Sequence, residues 1–307
     1  MSATTTTHEP VINTEKRPLL AWVLLTAIAL IWGSSFILMK KALAVFSAQQ
    51  IASGRIFFAF LFFLPLILNQ SRRPDVREAL RQRWVALLVS GVVGYLLPAF
   101  LFAEAGAHIP SALSGTLNSL SPLFVLLLGT LVFGQTFRAN QVWGIMLGFT
   151  GSMILVFFGE SGSFSINGYA LLVMLATVMY GVNTNLIAKY LAHLPALVAI
   201  PWTFAFIGPV AGISLFSTDF LSRAQQANTF IPLGAILFLG GMASGVSSVL
   251  FNRVIQLASG VFAASVTYLI PVVAIVWGLF DGEAVSLQQY VGLTISLLGI
   301  YLVNKRS

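Results

Sequence analysis

RWVALLVSGVVGYLLPAFLFAE, residues 83–104, holds twenty consecutive uncharged residues between its terminal charges. At about 1.5 Å of rise per residue, a helix of that length spans about 30 Å, the thickness of a bilayer's hydrocarbon core. It lacks the alternation of apolar and polar residues that marks a barrel strand. The stretch therefore predicts a transmembrane helix over 84–103. Nine further apolar runs flank it, at roughly 19–39, 47–68, 110–133, 141–158, 166–188, 195–217, 231–251, 261–280 and 287–304. The predicted fold is an all-α integral membrane protein of ten transmembrane helices.

Composition agrees with lipid as the main solvent. The chain is 58% hydrophobic and 8% charged, with a mean hydropathy of +0.92. A soluble domain carries about 25% charged residues, so this chain has too few to cover a water-facing surface. The net charge of +7 does not point to nucleic acid, because the basic residues lie in breaks between apolar runs and form no stripe. With no cysteine, disulfides, thiolate metal sites and cysteine nucleophiles are excluded. His8, His108 and His193 are not spaced for a metal, and no Gly-x-x-x-x-Gly-Lys motif cradles a phosphate. No catalytic set, metal or cofactor is expected, and neither an ATP-driven pump nor an intramembrane hydrolase fits.

The placement of Lys and Arg orients the spans. With residues 1–18 read as a polar cytoplasmic tail, twelve basic residues fall in breaks on the cytoplasmic side. Lys40, Lys41 and Arg223 fall on the other side, and Arg55 lies inside a span. This asymmetry predicts that both termini are cytoplasmic, in a plasma (inner) membrane protein. The first run is too long for a signal-peptide core and no cleavage pattern follows it, so it reads as a retained span.

Shifted by about 148 residues, the chain matches itself. Trp32-Gly33 falls on Tyr180-Gly181, Lys41 on Lys189, Gly134-Gln135 on Gly282-Glu283, and Gly151 on Gly299; one residue more aligns Phe102 with Phe251 and Pro122 with Pro271. The repeats are 19–158 and 166–304, with the Gly- and Ser-rich stretch near 159–168 between them. Five crossings per repeat is odd, so the second repeat enters from the opposite side. Inverted repeats are a recurring construction of secondary transporters.

Ile31-Trp32-Gly33-Ser34-Ser35-Phe36, Arg55, Leu120-Ser121-Pro122-Leu123, and Gly282-Glu283 followed by Gln289, Gly292 and Gly299 resemble the EamA family of the drug/metabolite transporter superfamily. The resemblance covers about residues 20–304 and implies export of amino acids and other metabolites. Gln135 departs from it, standing where similar proteins often carry an acid; the second repeat keeps Glu283.

Candidate substrate contacts follow from polar residues within spans. Ser111, Ser114, Asn118 and Ser121 recur at helical spacing on the fourth span, facing a cavity or a partner helix. Pro122 leaves a carbonyl near Asn118 without its helical donor. Thr267 and Pro271 are the counterparts on the ninth span, whose stripe is less polar, so the cavity should be chemically lopsided. Trp32 with Ser35, and Tyr180 with Asn183, pair an aromatic ring with a small polar group one turn on, which suits an amphipathic solute or, for the rings, an interfacial belt. Asn185 points elsewhere and reads as a packing residue. Gly91, Gly94, Tyr95 and Pro98 align with Gly240, Ala243, Ser244 and Ser247, where glycine and proline signal helix packing or a broken helix. Tyr95 and Ser244 are the cavity candidates there.

Glu104 and His108 form a possible proton relay, with an interfacial acid as the alternative reading. Arg55 is placed near a helix start, reaching the interface by snorkelling or else binding a carboxylate. The glycine-rich faces Gly144-Gly148-Gly151 and Gly292-Ser296-Gly299 favour close helix contact, within one chain or in a homodimer. The expected function is a secondary transporter exporting small metabolites, such as amino acids, in the lipid bilayer by alternating access. A non-transporting receptor or scaffold, or a carrier of other solutes such as nucleotide sugars, is the alternative.

Overall fold

In the computed structural model, residues 19–109, 114, 117–157, 168–280 and 287–304 are described. Segment 159–167, most of the break between repeats, lies outside them, as do residues 1–18, Ser111 and Glu283. The described residues are helical with short connections. We label α1 Leu19–Leu43, α2 Ala48–Gln70, α3 Pro74–Gly106, α4 Ser121–Leu131, α5 Ala139–Phe157, α6 Gly168–Leu191, α7 Ala196–Phe216 and α8 Phe230–Leu257. A broken α9 joins Gly260–Ala264, a 3₁₀ turn Ser265–Tyr268 and Ile270–Phe280, and α10 is Leu287–Asn304. Six of these, α1, α2, α3, α6, α7 and α8, are long and apolar enough to cross a membrane, so the chain is a multi-pass membrane protein.

Local chemistry sets several boundaries. α2 opens on a capping box: the Gln50 N–H donates to Ser47 Oγ and the Ser47 N–H to Gln50 Oε1. α3 begins ten residues before the predicted span because Pro74 sits in its first turn with Asp75 beside it, both favourable at a helix start. Its first turns are therefore a polar extension of the membrane helix. α1 continues past the predicted end through Lys40 and Lys41, cations placed at the negative end of the helix dipole.

Three helices contain wide π-type turns, at Val92–Leu96 in α3, Ile187–Leu191 in α6 and Leu239–Val246 in α8. In α3 the Leu97 N–H reaches back to the Val92 carbonyl, and Pro98, which has no N–H, follows at once. In α8 the Ser247 N–H reaches Met242. The bulges in α3 and α8 fall where glycine and proline raised the prospect of a broken helix, at corresponding places in the two repeats.

Packing pairs the repeats. α1 lies against α8 and α9, while its counterpart α6 lies against α3 and α4. α2 packs on its own counterpart α7, and α5 on its counterpart α10. The α5–α10 contact is a backbone approach: a Cβ at Gly299 would overlap the backbone of Gly148, and one at Gly144 would meet the Val303 amide. Gly144, Gly148 and Gly299 are thus in close contact within one chain.

Connections that correspond lie at opposite ends. The α1–α2 connection meets the segment after α7: Arg223 donates to the Val45 carbonyl at 2.8 Å, and Gln50 Nε2 donates to Asp219 Oδ1 at 2.7 Å. The α6–α7 connection meets the far ends of α2 and α8: Gln70 donates to the Leu197 carbonyl and Gln256 to the Leu194 carbonyl, each at 2.8 Å.

Candidate functional site

Where α1, α3, α4, α6, α8 and α9 converge, with α2 at the side, they enclose a cavity of about 140 Å³. Its walls are built from corresponding residues of the two repeats. Trp32 and Tyr180, Ser35 and Asn183, Tyr95 and Ser244, Asn118 and Thr267, and Phe102 and Phe251 all line it. The aromatic contacts exchange in the same way. Trp32 meets Phe251 at 5.4 Å between ring centroids, and Tyr180 stacks on Phe102 at 5.8 Å. Each repeat supplies one ring to each pair.

The bulges and prolines position the polar groups. In α8 the wide turn presents the Ala243 carbonyl to α1, where the Trp32 indole N–H donates to it at 2.8 Å. This bond holds the indole against the wall by its polar edge. In α3 a Cβ at Gly94 would overlap the Asn183 amide, so only glycine lets that amide sit there. Asn183 Oδ1 accepts from Ser90 Oγ at 2.7 Å, and the Tyr95 hydroxyl lies beside Asn183 and Ser248.

Pro122 and Pro271 each lack the N–H that would meet a carbonyl four residues back, at Asn118 and Thr267. The Asn118 carbonyl, predicted to be available, instead accepts from Ser121 Oγ at 2.7 Å. The chain turns at Ser119–Leu120, so α4 is shorter than the predicted span. The Thr267 carbonyl accepts from Ser119 Oγ at 3.3 Å, joining the two breaks.

Eight of the nine predicted substrate contacts, Trp32, Ser35, Tyr95, Asn118, Tyr180, Asn183, Ser244 and Thr267, come together in this one cavity. Ser114 is outside the lining; it is buried, and its hydroxyl has no hydrogen-bond partner among the described residues. Glu104 and His108 are also outside. They sit half-exposed at the end of α3, with His108 Nδ1 3.7 Å from Glu104 Oε1 and the imidazole stacked 3.8 Å from the Tyr169 ring. Asn185 does turn away, donating to the Val125 and Gly181 carbonyls at 2.9 Å each.

Arg55 corrects the snorkelling expectation. It lines the cavity, and its Nε donates to Ser244 Oγ on α8 at 3.0 Å. The reason is the approach of α8: a Cβ at Gly240 would crowd the Phe58 side chain and the Arg55 carbonyl, so its absence brings Ser244 within reach. Ser248 and Thr184, not singled out from sequence, also line the cavity. The spacing of Ser244, Ser248 and Asn252 at successive turns of α8 was the available signal for Ser248.

Residues 19–157 and 167–305 each match the model of the EamA-like transporter family. The chain is 24% identical to the uncharacterized transporter YvbV of Bacillus subtilis over 93% of its own length and 92% of that protein. It is likewise 24% identical to the uncharacterized inner membrane transporter YedA of Escherichia coli, over 91% and 89%. A solved crystal structure that is 19% identical superposes with a TM-score of 0.72, covering 94% of this chain and 96% of that one, and so shares the fold.

Proposed function

This chain belongs to the EamA-like transporter family, and on that premise we propose that it is a secondary carrier exporting small amphipathic metabolites of amino-acid size. In this reading it crosses a plasma (inner) membrane ten times, with both termini cytoplasmic and the second repeat inverted. The cavity between the repeats carries the proposal, because its walls are corresponding residues from both halves. A site shared in this way opens to either side when one half rocks against the other.

Size and chemistry narrow the solute. About 140 Å³ is close to the volume of a cavity that holds one benzene-sized molecule. That space suits a metabolite of amino-acid size; a nucleotide sugar is far larger. Aromatic walls with a few fixed polar groups favour a solute with an apolar body and a polar end. The hydrogen bonds from Gln50 and Arg223 at one end, and from Gln70 and Gln256 at the other, are the contacts that alternating access would break in turn.

Counterflow tests the carrier reading: proteoliposomes preloaded with unlabelled solute should accumulate the labelled form. A receptor that binds without translocation would saturate without accumulation. The cysteine-free background suits a test of topology, in which cysteines introduced at Ser71 and at Arg223 should react from opposite sides of the membrane.

A further inference from the structure

We propose that the solute is a monoanionic carboxylate, its carboxyl end seated on Arg55 and its apolar body among the aromatic walls. The proposal rests on the carrier reading above and specifies the class of solute. Arg55 lies two turns into α2, about 10 Å along the helix from Ala48 at 1.5 Å per residue. Its guanidinium is permanently charged and carries five donors. Nε is committed to Ser244, and the two terminal nitrogens form no hydrogen bond or ion pair among the described residues. Among the described residues, no Asp or Glu lines the cavity. A cation inside a membrane protein is ordinarily matched by an anion, and none of the described residues supplies one here.

A carboxylate supplies the missing charge and fits a guanidinium's paired donors. Its second recognition element is hydrophobic: Trp32, Phe102, Tyr180 and Phe251 form the two ring pairs of the wall. The α-ammonium of an amino acid would meet only neutral acceptors such as the Asn118 and Asn183 amide oxygens and the Ser and Tyr hydroxyls. An acid lacking the amino group therefore binds at least as well as the amino acid that carries it.

The test is a series of matched size on purified protein: isocaproate, leucine, isoamylamine and isocaproamide, read first by thermal shift and then by counterflow. Isocaproate should raise the melting temperature most and leucine less, with the amine and the amide near zero. Arg55→Gln should weaken the isocaproate response about tenfold or more. Arg55→Lys, which keeps the charge, should retain part of it, and tryptophan fluorescence with elution profile checks that both variants fold. Ser244→Ala, which frees Nε, should lower affinity while keeping the preference for anions.

Equal responses to amine, amide and acid would overturn the proposal. So would wild-type protein that folds but ignores both carboxylates, or an isocaproate response unchanged in Arg55→Gln. Isocaproate binding without counterflow would sink the carrier reading and leave the carboxylate seat standing. Counterflow that is blind to charge would do the reverse.

Discussion

α2 and α7 occupy corresponding places in the two repeats and pack on each other, yet they treat the cavity differently. α2 sends Arg55 into it. At the corresponding position α7 has Thr203, fully buried, whose hydroxyl folds back onto the Ala199 carbonyl at 2.9 Å. The frame is duplicated, but the charge is not. A rocking carrier needs two halves of similar shape, whereas gripping one end of a solute requires a charged group on one half alone.

Breaking the frame should have the largest effect. Gly299→Leu would drive a side chain into the Gly148 backbone, and overpacking costs about 1–3 kcal/mol and sometimes more. The expected outcome is a sharp fall in monodisperse protein after extraction, and Gly144→Leu on the partner helix, whose side chain would meet the Val303 amide and the Gly299 carbonyl, should match it. Unequal losses would mean that the two glycine faces are not equivalent.

A subtler test uses one small-residue exchange between repeats. Gly94 faces Asn183, and the corresponding positions hold Ala243 and Ser35. Gly94→Ala should destabilise by about 1–3 kcal/mol. Adding Asn183→Ser, which copies the other pair, should return part of that loss, with a coupling of about 0.5–3 kcal/mol in a thermal double-mutant cycle. Additive losses would separate the two positions.

The two rings sharpen the comparison further. Trp32→Phe removes the bond to the Ala243 carbonyl and should lower stability by about 0.5–1.5 kcal/mol. The Tyr180 hydroxyl makes no hydrogen bond among the described residues, so Tyr180→Phe should leave the melting temperature unchanged and alter only solute affinity.

The smallest effect concerns the hydrogen-bonded contact between the α1–α2 connection and the segment after α7. Asp219 lies between α7 and α8, where its hydrogen bond with Arg223 at 2.7 Å holds the carboxyl below its ordinary value, with Gln50 contributing. A depressed carboxylate stabilises fully above the unfolded value of about 3.9 and loses that contribution as pH falls through the lower folded one. Asp219→Asn should therefore lower thermal stability slightly near neutrality, by little because the side chain is exposed, and flatten the acid limb below about pH 4 by the same small amount, so that variant and wild type converge in acid.

Much of this was legible because hydrophobic length and glycine placement act locally. Span positions and eight cavity residues follow from patterns a single helix carries. The polar first turns of α3 were not legible as part of a membrane helix, because a hydropathy window stops where charges begin. The slipped hydrogen bonds in α3 and α8 depend on which helix packs against the bulge, so sequence marked the places and not their form. Arg55 is the sharpest case. Its depth follows from α8 approaching α2 at Gly240, a contact between segments that lie far apart in the chain.

The unmatched cation also bears on what membrane voltage can do. With the proposed carboxylate seated on Arg55 the site would be neutral; empty, it would carry a full positive charge. In the proposed alternating-access cycle, an interior-negative potential would therefore act on the unloaded carrier and favour the state in which the vacant site communicates with the cytoplasm. Moving one charge through 100 mV is worth about 2.3 kcal/mol, and the site would sense a fraction of that. Currents on a solid-supported membrane should accordingly accompany return of the empty protein, and Arg55→Gln should abolish them.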